Sequence, residues 1–198
     1  MRRQRKHLAS IAGIAVGLLV LTATPAVASH AYGDARHWTD GNQPRAYVTI
    51  NDHTPAGWPV LAATNNWGTE PNIDVYYNFG GCGGTGHCVD VDLDSFTQSC
   101  GAVRGVTIEI TSGGHYTAST YVRFNSKCSA SQFTNTNRRS IACHELGHVM
   151  GLGHDENHPI SYSCMTTPVG DNWLDRTAFP GDHDFAALHN VVYSHNDN

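Results

Sequence analysis

Apolar and polar positions change character several times along the chain. Leu8 to Leu21 is almost wholly apolar, preceded by Arg2, Arg3, Arg5 and Lys6 and followed by the small residues Ala26-Val27-Ala28. Basic, apolar and small residues in that order predict a secretory signal over residues 1–28, cleaved after Ala28 or, alternatively, after Ala31. The apolar run is short of the roughly 20 residues that a membrane span needs. Residues 29–44 are polar, contain Gly33, Gly41 and Pro44, and read as an irregular lead-in to one domain over 45–198. Within that domain, β-branched and aromatic runs predict strands at Ala46–Ile50, Ile73–Phe79, Val106–Thr111, Tyr116–Ser119 and Tyr121–Asn125. Trp58, Leu61, Ala62 and Trp67 have the spacing of one helical face, and Pro59 delays the start of that helix to about Trp58.

The second half changes period. Asn137–Met150 predicts a proline-free helix capped by Thr136 or Asn137. Residues 151–181 are rich in Gly, Pro, Ser and Asp and must be held by contacts other than regular secondary structure. A final amphipathic helix over Asp182–Tyr193 would bury Phe185, Leu188, Val192 and Ala186. Strands around an early helix, followed by two later helices, place the chain in the α+β class.

Composition narrows the function. Loss of residues 1–28 removes four of the twelve basic residues and none of the seventeen acidic ones. Eight basic against seventeen acidic residues then remain, a formal charge of −9 rather than −5. Such a surface has no electrostatic reason to seek nucleic acid or an anionic membrane. About 170 residues suit a single core, and a monomer is expected. Cys82, Cys88, Cys100, Cys128, Cys143 and Cys164 all lie beyond the signal, an even number consistent with disulfides in an oxidising compartment. Six cysteines allow fifteen pairings, and no CxxC pair suggests a thiolate metal site.

The chemistry concentrates in His144-Glu145-Leu146-Gly147-His148-Val149-Met150-Gly151-Leu152-Gly153-His154. Residues four apart on a helix share a face about 6 Å apart along the axis, so His144 and His148 can bind one Zn²⁺. Glu145 flanks them as a general base for a metal-activated water. His154 would point away on a continuous helix, so the chain has to turn, and Gly151 is the residue that accepts a helix-ending left-handed conformation. Three imidazoles leave a fourth zinc position open, as catalytic sites require. A chain of this composition acquires the five fixed positions by chance with a probability on the order of 10⁻⁴.

This segment resembles the extended zinc signature of the metzincin metallopeptidases, H-E-x-x-H-x-x-G-x-x-H. The same family has a tight turn with a methionine beneath the zinc, and Ser163-Cys164-Met165-Thr166 is similar to it, with Met165 as the turn methionine. The resemblance is closest to the matrixin-type group. Thr167 stands where astacin-like and serralysin-like enzymes have a tyrosine, and Pro168-Val169-Gly170 departs from the Pro-x-Tyr of many matrixins. Snapalysin-like enzymes use Asp as third ligand, which leaves Asp155 as a one-residue alternative to His154.

The resemblance implies a twisted five-stranded mixed sheet with two helices over a zinc cleft, and a small irregular C-terminal part holding the Met-turn and a final helix. It also implies a secreted endopeptidase acting through a zinc-activated water with Glu145 as general base. A protein or peptide substrate would bind in extended form along the sheet's edge strand, expected within Gly113–Ser119. Cys143 precedes the first ligand and Cys164 the turn methionine, so the family geometry implies a Cys143–Cys164 disulfide. Cys82–Cys88 and Cys100–Cys128 are the pairings favoured for the rest.

The competing reading is a secreted zinc-binding recognition module without catalysis, against which Glu145 speaks, because a structural site needs no base. Asp90, Asp92 and Asp94 alternate onto one face of an extended segment, which Ca²⁺ could use. A solvated acidic edge is the preferred reading, and calcium is not among the expected cofactors. His115, His158, His183, His189 and His195 have no ligand spacing among themselves and read as surface or capping residues.

Overall fold

The computed structural model describes residues 37–39, 45–81, 87–101, 103–112, 115–117, 120–128, 133–156, 158–159, 161–166 and 177–194. The expected signal segment, its cleavage at Ala28 or Ala31, and most of the lead-in lie outside the described residues, as do Cys82, His195 and the 167–170 stretch. In chain order the elements are β1 (Ala46–Asp52), α1 (Val60–Trp67), β2 (Ile73–Asn78), β3 (Cys88–Asp94) and β4 (Gly105–Ile108). There follow β5 (Thr111–Ser112), β6 (His115–Tyr116), β7 (Tyr121–Asn125), α2 (Asn135–Val149) and α3 (Asp182–Ala187), which runs on as a π-helical turn over Leu188–Val192.

The class is α+β, with a five-stranded mixed sheet in the order β2-β1-β3-β7-β4 and three helices among the described residues. β2, β1, β3 and β7 are parallel neighbours, and β4 returns antiparallel to β7 at the edge. The strand period of two sorts the faces. Val48, Ile50, Val89, Val91, Val122 and Phe124 are fully buried, with α1 and α2 packed together beside them. The other face is polar. There Asn51 donates to Asp90 at 2.7 Å, and Arg123 pairs with Asp92 at 2.6 Å while lying over the Tyr121 ring.

Several expectations need correction. The central strand β3 was not among the expected strands, because its Asp-Val-Asp-Leu-Asp alternation looked like a solvated edge. β1 and β7 flank it, and Asn51, His53 and Arg123 answer its carboxylates. Burial raises the Asp90 carboxyl, but hydrogen bonds from Asn51 and His53 and the nearby Arg123 charge outweigh this and hold it below the ordinary carboxylate value. The strand expected over Val106–Thr111 stops at Ile108, and the chain folds back as a separate β5–β6 hairpin. The edges of the sheet are therefore β2 and the antiparallel β4 at Gly105–Ile108, and neither lies within Gly113–Ser119. The described part of that interval pairs instead with β5 and, through the Tyr116 N–H, with His37.

The early helix starts at Val60 with Pro59 at its cap, and it buries Val60, Ala63, Thr64 and Trp67 rather than Leu61, which is exposed. In α3 and its π-turn the buried apolar residues are Ala187, Leu188 and Val192, with Phe185 only half-buried. The lead-in is irregular as expected, yet Trp38 within it is fully buried and donates its indole N–H to Val149 O at 2.9 Å. The domain thus extends upstream of residue 45.

Two disulfides join described residues, Cys100–Cys128 and Cys143–Cys164, and both match expectation. Cys88 is also disulfide-bonded, while the Cys82 end of the expected pair lies outside the described residues. Among the described residues no helix is long and apolar enough to cross a membrane.

Helix α2 begins earlier than its pattern suggests. Thr134, not Thr136 or Asn137, is the cap: its hydroxyl accepts from Asn137 N at 3.2 Å, and Asn137 Oδ1 accepts from Thr134 N at 2.9 Å. This reciprocal cap satisfies donors that the first turn leaves open. Replacing Thr134 with Ala should lower the unfolding free energy by about 1 kcal/mol. Urea denaturation of the two proteins measures this, and an unchanged midpoint would contradict the capping role.

Candidate metal centre

His144 and His148 project from one face of α2, both buried, and their Nε2 atoms are 3.2 Å apart. His144 Nδ1 lies 2.8 Å from Cys164 O, and His148 Nδ1 lies 2.7 Å from Leu152 O. A carbonyl oxygen only accepts, so each Nδ1 carries a hydrogen and each ring turns its Nε2 toward the other. In the neutral rings both Nε2 atoms are lone-pair donors, a pair that one cation between them can bind. A four-coordinate ion with nitrogen at about 2.0 to 2.1 Å holds neighbouring donors about 3.3 Å apart, which the pair already matches.

The third donor arrives by the turn anticipated at Gly151. That glycine has φ 102°. Its N–H bonds to His148 O at 3.0 Å, and the Leu152 N–H bonds to Gly147 O at 3.1 Å, the paired closure of a Schellman motif. The same turn aims Leu152 O at the His148 ring, so one local structure ends the helix and places the hydrogen on His148 Nδ1. Beyond it the His154 ring stacks on His144 at 5.1 Å and lies 4.9 Å from His148. One ring nitrogen from each of His144, His148 and His154 falls within a 4.8 Å group that could hold a metal ion. Asp155, the alternative third donor, is grouped elsewhere, with His158 and His183.

Met165 lies fully buried against α2. A Cβ at Gly147, between the two helical histidines, would collide with Met165 Sδ and lie 2.9 Å from Trp67 Cζ2. Glycine at this variable position of the motif therefore sets how closely the 163–166 turn approaches the helix. The turn is fastened by the Cys143–Cys164 disulfide, by Met165 N–H donating to Ser163 Oγ at 2.9 Å, and by Asp155 N–H donating to Met165 O at 3.0 Å. Trp67 Nε1–H donates to Cys143 O, and the Tyr116 hydroxyl donates to His148 O, so side chains from α1 and β6 hold the helix itself.

Glu145 is buried and lies over the edge strand β4. The Thr107 hydroxyl is 2.9 Å from both Glu145 Oε2 and Glu145 O and donates to one or the other. At Gly105 an added Cβ would sit 2.8 Å from Glu145 Oε1 and 2.9 Å from its Cγ. Thr107 and Gly105 were not legible as site residues. One reads as an ordinary strand threonine and the other as a turn glycine, and only the crossing of β4 over α2 gives them a role.

No protein-family model matches this sequence, and a search of curated proteins finds no match. The site is therefore defined by its geometry and by the spacing of its residues.

The Gly147 contact is testable. Gly147→Ala should cost about 1 to 3 kcal/mol of stability, since the added methyl forces the 163–166 turn away from α2. It should also weaken metal binding, because the Cys164 carbonyl that holds His144 moves with the turn. Denaturant unfolding and competition with a chromophoric chelator read the two effects, and wild-type behaviour in both would show that Gly147 does not set the approach of the turn.

Proposed function

We propose that this protein is a secreted zinc-dependent endopeptidase of metzincin type, most similar to the small matrixin-type enzymes. The observation that carries the reading is the pair of facing Nε2 atoms 3.2 Å apart, each ring held by a carbonyl on its far nitrogen, beside a buried carboxylate. Three imidazole donors favour zinc among common ions and leave a position for water. Disulfides among the described residues fit the oxidising compartment that a secretory signal implies.

His144, His148 and His154 would hold the ion. When bound there, zinc would polarise a water molecule and the scissile carbonyl. Glu145 takes the water proton on its carboxylate as the water oxygen bonds to the carbonyl carbon, then delivers that proton to the amine nitrogen as the C–N bond breaks. Thr107 keeps the carboxylate from rotating away, and the missing side chain at Gly105 leaves it room. Beyond β4 no further strand pairs among the described residues, so an extended peptide can add there through main-chain hydrogen bonds. That addition would bring its backbone past Glu145.

In the Glu145→Gln protein the metal content should stay at the wild-type level, while cleavage of casein falls by about 10² to 10⁴-fold. Metal analysis and a fluorescent casein assay measure the two together. If the variant cleaves as fast as wild type, Glu145 is not the base. If metal-loaded wild type cleaves nothing in a broad peptide library, a recognition module without catalysis becomes the better account.

A further inference from the structure

His158 and His183 lie far apart in sequence and read there as surface residues, but the fold brings them to one carboxylate. His158 Nδ1 and His183 Nε2 each lie 2.8 Å from Asp155 Oδ2. Donor atoms of the three residues lie within 4.8 Å of one another. Asp184 adds an oxygen, its Oδ1 being 3.2 Å from His183 Nε2. The other Asp184 oxygen accepts from Ser163 Oγ–H and from Gly181 N–H, which fixes the carboxylate's orientation. Tyr162 stacks over both imidazoles, with ring centroids 5.1 Å from His158 and 4.8 Å from His183.

Charge makes the arrangement informative. The side chains of Asp155 and Asp184 are 1% and 0% exposed, so two carboxylates sit out of water within reach of the same imidazole nitrogen. Buried carboxylates need a cation close by. One Nε2–H points in a single direction and is not directed well at two oxygens from different residues, whereas one cation among the donors can bond to all of them. Two nitrogens with one or two oxygens suit zinc or a related first-row ion; calcium and magnesium favour all-oxygen sets. The His158 side chain, 43% exposed, gives an ion a route from solvent.

We propose that Asp155, His158 and His183, with Asp184 as a fourth donor, form a second divalent-metal site, for zinc by preference. It is separate from the His144–His148–His154 group and does not rest on the peptidase reading. Its protein donor set fills four positions, which makes it structural. It ties the N-terminus of α3 to the loop directly after His154, where Asp155 N–H donates to Met165 O and Asp155 pairs with Thr166 across an isolated bridge.

The test strips the full chain with a chelator, reloads it with zinc, removes the excess by gel filtration and counts zinc per chain by atomic emission. Wild type should hold two, and His158→Ala and His144→Ala one each. The exposure of His158 lets its alanine variant fold, which far-UV circular dichroism checks; His183→Gln is the second variant and should also hold one. Cobalt loading should give visible d–d bands whose intensity falls in each variant. One zinc in both wild type and His158→Ala, or two in both, overturns the proposal.

Discussion

Helix α2 places His144 and His148 on one face, but nothing within a helix decides which ring nitrogen carries the proton or which way the ring turns. That is settled by two carbonyl oxygens, Cys164 O and Leu152 O, each on chain that has already left the helix. The Leu152 carbonyl is fixed by the Schellman turn at Gly151. The Cys164 carbonyl is fixed by the 163–166 turn, which reaches the helix because Gly147 has no side chain and because Cys143 and Cys164 are joined. The facing Nε2 atoms of the candidate metal centre are therefore a property of close approach between helix and turn. Loss of the approach would leave both histidines in place with their rings unaligned.

A second crossing positions a buried carboxylate beside that centre. Glu145 belongs to the helix, but its carboxylate is positioned by strand β4, which contributes a hydroxyl at Thr107 and an absence of side chain at Gly105. β4 is also the antiparallel edge of a sheet whose other strands are parallel. Gly105 and Thr107 thus face the carboxylate from a strand beyond which no further strand pairs among the described residues. Pre-organisation of this kind depends on rigid neighbours, and the stacked Trp58 and Phe124 rings and the buried Trp67 show how tightly the layer between sheet and helix is filled.

The irregular stretch after α2 carries little regular structure among its described residues, yet it is heavily cross-linked. Cys164 N–H donates to Phe179 O, Ser163 Oγ–H to Asp184, and Asp155 joins the turn through its main chain and two histidines through its side chain. A loop with no ladder to satisfy its backbone has to find partners of this sort. Here they converge on the residues that flank His154 and Met165, so the least regular part of the chain bears directly on the geometry of the third donor.

Much of the site was legible in one dimension. The shared face of His144 and His148 and the turn at Gly151 were anticipated, because helical period and glycine's conformational freedom are local properties that the residues themselves impose. The α+β class followed for the same reason. The pairing of Cys143 with Cys164 came from the family resemblance instead. What the sequence could not reveal depends on surfaces remote in the chain meeting one another: β3 as an interior strand rather than an acidic edge, the edge strand at Gly105–Ile108, Trp38 drawn into the core, Gly105 and Gly147 as points of contact, and His158 beside His183. Each of these residues has an ordinary local reading. Only the tertiary structure decides otherwise, since packing selects neighbours by shape and charge and takes no account of how far apart they lie along the backbone.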